Sequence, residues 1–175
     1  MQWSTLLRSE LNHVYDVTEG LVNLVQEDEL SWKPATGGNW MMVRQLLHHI
    51  ATSGGFVFKG FITGDWGIPE GVNPEEMTPE EMLPPAEKLP SVASLDEARQ
   101  MLASDKALAF EMLDKVSEED LQTRPAPAPW DSSDMSLGYR LLQMTAHINQ
   151  HKGQLFYYLK LLGKPVNTTH LWGGK

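Results

Sequence analysis

Two histidines four residues apart, His147 and His151 in the run His147-Ile148-Asn149-Gln150-His151, are the first residues here that could do chemistry. On a helix they share one face and lie close enough to bind one metal ion. The Glu that a zinc-protease helix carries between its two His is absent. Interface or satisfied-core histidines are the ordinary alternative for such a pair. A second run, Leu46-Leu47-His48-His49-Ile50-Ala51, sharpens the case. Met42, Leu46, His49, Ser53 and Phe56 recur at 4-3-4-3 spacing, so His49 borders the core and His48 points about 100° away on a helix of 3.6 residues per turn. Three inward imidazoles on two helices can form a facial triad with open coordination positions. That is a catalytic arrangement, since structural zinc usually takes four protein ligands. The chain has no Cys, which excludes disulfides, thiolate zinc sites and a cysteine nucleophile within it. Imidazole then suits Zn, Ni, Fe or Cu.

Four stretches carry the helical periodicity needed to position these residues. The spacing predicts a first helix from about Trp3 to Glu27, with Leu7, Leu11, Val14, Thr18, Leu21 and Val25 at 4-3-4-3-4. A second runs from about Trp40 to Thr63, with Asn39 as N-cap after Gly37-Gly38, and a Val43, Leu46, Ile50, Val57 stripe interrupted at Ser53. A third runs from about Val92 to Val116, with one carboxylate, Asp105, in an otherwise apolar seam. The fourth runs from about Ser136 to Leu162, with Leu137, Leu141, Met144, Ile148, His151, Leu155, Tyr158 and Leu162 in one stripe. Gly163 follows as the helix-ending glycine and Pro165 as the stop. No segment alternates with period two, so the expected fold is all-α, a four-helix bundle. The expected domain is 1–166, followed by a tail, 167–175.

The link between the second and third helices, 64–92, holds six of the eleven prolines, seven acidic residues and one lysine. It is long enough for a crossover that lets those helices run parallel. Thr78-Pro79-Glu80-Glu81 matches a capping box with Pro at the first helical position, so one short helix is expected there. This link carries −6 of the formal net charge of −9, and the rest of the chain only −3. Residues 117–135 are expected to be an extended, Pro-containing stretch ending at Trp130. The acidic balance argues against nucleic acid as a partner. No apolar run approaches a membrane span and no signal peptide is visible, so a cytoplasmic, single-domain protein is expected.

The two His runs resemble the DinB-like superfamily of metal-binding four-helix bundles, which also covers proteins described as YfiT-like. Trp40-Met41-Met42-Val43-Arg44-Gln45-Leu46-Leu47-His48-His49-Ile50-Ala51 resembles its second-helix pattern. His147 to Leu155, with Lys152-Gly153-Gln154 after the second His and Gly163 following, resembles its fourth. Trp32-Lys33-Pro34 also fits, and the resemblance spans about residues 3–166. It implies His49, His147 and His151 as ligands of a divalent transition metal, with Zn or Ni expected first and Fe or Mn as further options. It also implies a homodimer and a small-molecule substrate. The implied chemistry is S-transfer from a low-molecular-weight thiol such as bacillithiol, mycothiol or glutathione, or hydrolysis by metal-bound water. A non-catalytic, stress-related metal-binding bundle is the third reading.

Supporting residues are read from their positions. Asp105 is a candidate base or a hydrogen-bond partner of a ligand imidazole, or else a solvated carboxylate. Gln154 could orient a ligand or bound water, or be a capped interior amide. Gly153 could admit a close helix or ligand, or simply serve helix packing. His13 reads as an edge histidine and His170 as solvated. Trp66 and Trp130 read as loop anchors that could roof a pocket. Met101, Met112 and Met144 read as core filler.

Overall fold

The computed structural model describes residues 2–68, 77–82 and 84–174. Within them the chain is all-helical, with no strand and two isolated β-bridges, Pro125 with Ser136 and Ala128 with Asp131. The long segments are α1 (Trp3–Val22), α2 (Val43–Ile50), α3 (Gly55–Thr63), then α5 (Leu95–Leu113) and α7 (Leu137–Leu161). Short helices α4 (Pro79–Met82), α6 (Glu118–Thr123) and α8 (Thr168–Trp172) lie between or after them. No helix of the described residues is long and apolar enough to cross a membrane.

The expected stripes form the core. Leu7, Leu11, Leu21, Leu46, Ile50, Leu141 and Ile148 are all fully buried, each worth about 1.5–3 kcal/mol of transfer free energy. Polar contacts fix the directions. Between α1 and α5 the partners run in opposite order: Arg8 with Asp114, Tyr15 with Asp105, Asn23 with Arg99. Along α2–α3 and α5 they run in the same order: Val92 N donates to Arg44 O, and Gly54 N and Phe56 N donate to Asp105. α7 opposes α2–α3. Tyr158 meets Met41, His151 and His147 meet His49, and Arg140 lies over the Phe61 ring.

The expected second helix is in fact two. Thr52 Oγ1 donates to His48 O, and Ser53 Oγ donates to His49 O, drawing carbonyls away from helical continuation. Gly54 and Gly55 follow, where an added Cβ would lie 1.9 Å from Tyr15 Oη and 2.2 Å from the Asp105 carbonyl oxygen respectively. Only glycine lets α3 come this close to α1 and α5. The helix also begins later than expected. Asn39 is not its N-cap: it has a left-handed φ of 59° and accepts from Ala86 N. The N-cap is Met42, whose N–H donates to Gln45 Oε1 at 2.8 Å. α1 stops at Val22 rather than Glu27, and Glu27 Oε1 instead accepts from Leu95 N at the start of α5.

Other boundaries follow the expected chemistry. Thr78 and Glu81 make the reciprocal bonds of a capping box around α4. Of the acidic connection, residues 69–76 and 83 lie outside the described residues. Gly163 ends α7 with φ 80°, and Lys164 N donates to Leu159 O. The stretch 117–135 is not all extended: it begins with α6, capped by Ser117 and Asp120. Buried Arg140 then pins the Pro-containing turn through Ala126 O, Asp131 and Ser133. Trp66 and Trp130 pack edge-on with Phe61 and with each other, anchoring the two connections. The segment after 166 carries α8, capped by Asn167 and tied to α7 by Lys152 Nζ donating to Leu171 O at 2.9 Å.

Candidate metal centre

His49 leaves the last turn of α2 just before the helix break, and its carbonyl takes the Ser53 hydroxyl. His147 and His151 stand one turn apart on α7, flanking buried Ile148. The three rings converge although 98 and 102 residues separate His49 from the other two. His49 Nε2 lies 3.0 Å from His147 Nε2 and 3.1 Å from His151 Nε2. One ring nitrogen from each histidine lies within 4.8 Å of the others. All three rings are only partly buried, so the cluster sits at the edge of the core.

Electrostatics make the cluster a donor set. Burial, and then the facing rings of His151 and His147, push His49 down to about 3. Burial and His151 push His147 down to about 4. Burial also lowers His151, opposed by its hydrogen bond to Gln154. Near neutral pH the rings are therefore uncharged, the form in which imidazole binds a metal. Two rings could share one N–H···N bond at 3.0 Å, but a third Nε2 in the same cluster would still lack a donor. One cation would satisfy all three lone pairs. With metal–nitrogen bonds of about 2.0–2.1 Å, adjacent ligand nitrogens lie about 3.0–3.4 Å apart, so the observed spacing fits a single ion.

A hydrogen-bonded chain backs His151. Its Nδ1 lies 2.9 Å from Gln154 Oε1, and Gln154 Nε2 donates to Tyr158 Oη at 3.0 Å. Tyr158 Oη donates to Met41 O at 3.0 Å, just ahead of α2. Trp32 and Trp40 pack edge-on against the Tyr158 ring. Gln154 thus meets the ring of one candidate ligand, and Tyr158, read from the sequence only as a stripe residue, is part of the support. Its position seven residues after His151 was the available signal.

Asp105 is engaged elsewhere. It is buried, and it accepts Tyr15 Oη at 2.7 Å, Gly54 N at 3.1 Å and Phe56 N at 3.0 Å. Its hydrogen bonds hold the start of α3, and none reaches a histidine ring. It is not the solvated carboxylate of the alternative reading either. Burial pushes its carboxyl up, opposed by the bond from Tyr15 and by backbone N–H groups. His48 is not among the three converging rings, in line with its spacing, and burial lowers its pKa against the opposing charge of Glu97 on α5. A Cβ on Gly153 would meet nothing within 4 Å, so no close approach among the described residues requires glycine there. His13 borders a groove between α1 and α7, and His170 is exposed beside Asn167. Met112 is buried, with Met101 and Met144 packed against the core.

An all-helical chain that brings three neutral imidazoles to one point is compatible with a metal-binding protein. A family model described as the DinB superfamily matches residues 10–155, and the chain belongs to that superfamily. No curated protein matches the chain.

Proposed function

We propose that His49, His147 and His151 hold one divalent transition metal, and that the protein uses it to transfer a low-molecular-weight thiol onto a small electrophile. The carrying observation is the convergence of three uncharged rings at 3.0–3.1 Å. A divalent cation held by His49, His147 and His151 would supply Lewis acidity and lower the pKa of a bound thiol. The state of Asp105 favours thiol transfer over hydrolysis: the only carboxylate in the α5 seam is committed to Tyr15, Gly54 and Phe56, away from the rings. A metal-bound water would keep a pKa of about 7, whereas a metal-bound thiol would be deprotonated outright, and among the described residues no carboxylate joins the three rings to act as a base. Zn or Ni suits the three-imidazole donor set, with Fe or Mn as alternatives.

We read the architecture as a four-helix bundle, α1, α2–α3, α5 and α7, with a crossover between the second and third members. The shared direction of α2–α3 and α5 supports it. A homodimer is the proposed assembly. Tyr157 and Leu161, four residues apart on α7 and 63% and 65% exposed, support it by offering an apolar strip. The test of function is thermal shift with each metal, then with thiols added to the metal-loaded protein. A metal-dependent shift with one thiol and not with others supports transfer. Metal-dependent turnover of an ester or amide without any thiol would overturn it in favour of hydrolysis. Metal binding with neither response would leave a non-catalytic metal-binding bundle.

A further inference from the structure

We infer that Tyr158 is a positioning residue that, through Gln154, fixes which nitrogen of His151 carries the proton. Met41 O can only accept, so the Tyr158 hydroxyl gives it its single proton. Tyr158 Oη is then free only to accept, and the group facing it on Gln154 must be the amide NH2. That turns Gln154 Oε1 toward His151 Nδ1, 2.9 Å away. An oxygen there demands Nδ1–H, which leaves the lone pair of His151 on Nε2, the atom 3.1 Å from His49 Nε2. A backbone carbonyl at the entry to α2 thereby sets the tautomer of a ring on α7. Edge-on packing by Trp32 and Trp40 holds the Tyr158 ring in place, and burial raises its hydroxyl pKa, keeping it protonated. The consequence for metal binding rests on the three-His reading; the tautomer itself does not.

The experiment is long-range 1H–15N correlation of the imidazole nitrogens in chelator-treated, metal-free protein. His151 is assigned by the signals lost in H151A. The wild type is expected to hold His151 almost wholly as the Nδ1–H form. Y158F and Q154A are expected to raise the Nε2–H form severalfold. Q154E/Y158F is expected to restore Nδ1–H, because a carboxylate accepts it without help from Tyr158. Far-UV circular dichroism checks folding, and Q154A carries the test if Y158F fails to fold. An Nε2–H form in the wild type, or an unchanged tautomer in either folded single variant, would overturn the inference. Zn(II) titration of the same samples separates the two readings. A weakening of about tenfold or more in Y158F is expected. A wild type that takes up no metal would defeat the three-His reading while the tautomer result stands.

Discussion

Replacing Asp105 with Ala should strongly destabilise the protein, because three donors depend on that one carboxylate. Tyr15 Oη, Gly54 N and Phe56 N all donate to it, at 2.7, 3.1 and 3.0 Å. Each buried donor left without an acceptor costs about 1–3 kcal/mol, or about 2–6 kcal/mol for Tyr15 Oη and Gly54 N, and the part-buried Phe56 N–H adds less. Deleting the carboxylate also removes its own desolvation cost, which offsets part of that loss. The net expectation is a loss of about 3–5 kcal/mol. At about 2–4 °C per kcal/mol for a chain of this size, the melting temperature should fall by about 6–20 °C. Asp105→Asn should cost less, about 1–2 kcal/mol. Its one oxygen can still serve Tyr15 and Gly54, while its NH2 faces the Phe56 N–H. Tyr15→Phe removes a single donor and should cost about 1 kcal/mol. Urea and thermal unfolding of the three variants would measure this order. A D105A variant within about 1 kcal/mol of wild type would refute the role given to this carboxylate at the start of α3.

Gly153→Ala should stabilise α7 by about 0.5–1 kcal/mol, since the added Cβ meets nothing within 4 Å and helix-interior glycine is costly; urea unfolding would show it, with metal uptake unchanged. The metal-free protein should lose stability on acidification. His49 and His147 are held at about 3 and about 4, so between pH 4 and the ordinary value of 6.5 the unfolded chain binds protons that the folded rings refuse. Stability is therefore full above pH 6.5 and falls as pH drops, by up to about 1.4 kcal/mol per unit per ring and less after allowance for their partial exposure. Denaturant unfolding with chelator should give roughly 2–3 kcal/mol less at pH 5 than at pH 7, and a flat profile would contradict the burial of these rings.

Much of the site could be read from local periodicity. The i, i+4 spacing placed His147 and His151 on one face, and the 4-3-4-3 stripe chose His49 over His48. What periodicity could not contain was the register between α2 and α7, which is set by packing across about a hundred residues. The resemblance to a known family supplied that link before the structure did. The break at Ser53–Gly54 was hidden for another reason. Val43, Leu46, Ile50 and Val57 keep helical spacing across it, and the pressure for glycine comes from Tyr15 and α5. Asp105 stood out as a carboxylate in an apolar seam, but its backbone partners, Gly54 N and Phe56 N, are free to donate only because the helix breaks opposite it. Tyr158 passed as a stripe residue because its ring is apolar, and its hydroxyl gains meaning only beside Gln154 and Met41 O.

Three imidazoles that share one metal ion set a fixed stoichiometry and make each ring necessary. Elemental analysis of the purified native protein, beside His49→Ala, His147→Ala and His151→Ala, tests both most directly. About one divalent transition metal per chain is expected in the native protein, with loss of that metal in each variant and the helical circular dichroism retained. Metal content unchanged in all three variants, or a native protein that binds none when supplied with Zn or Ni, would contradict the shared site.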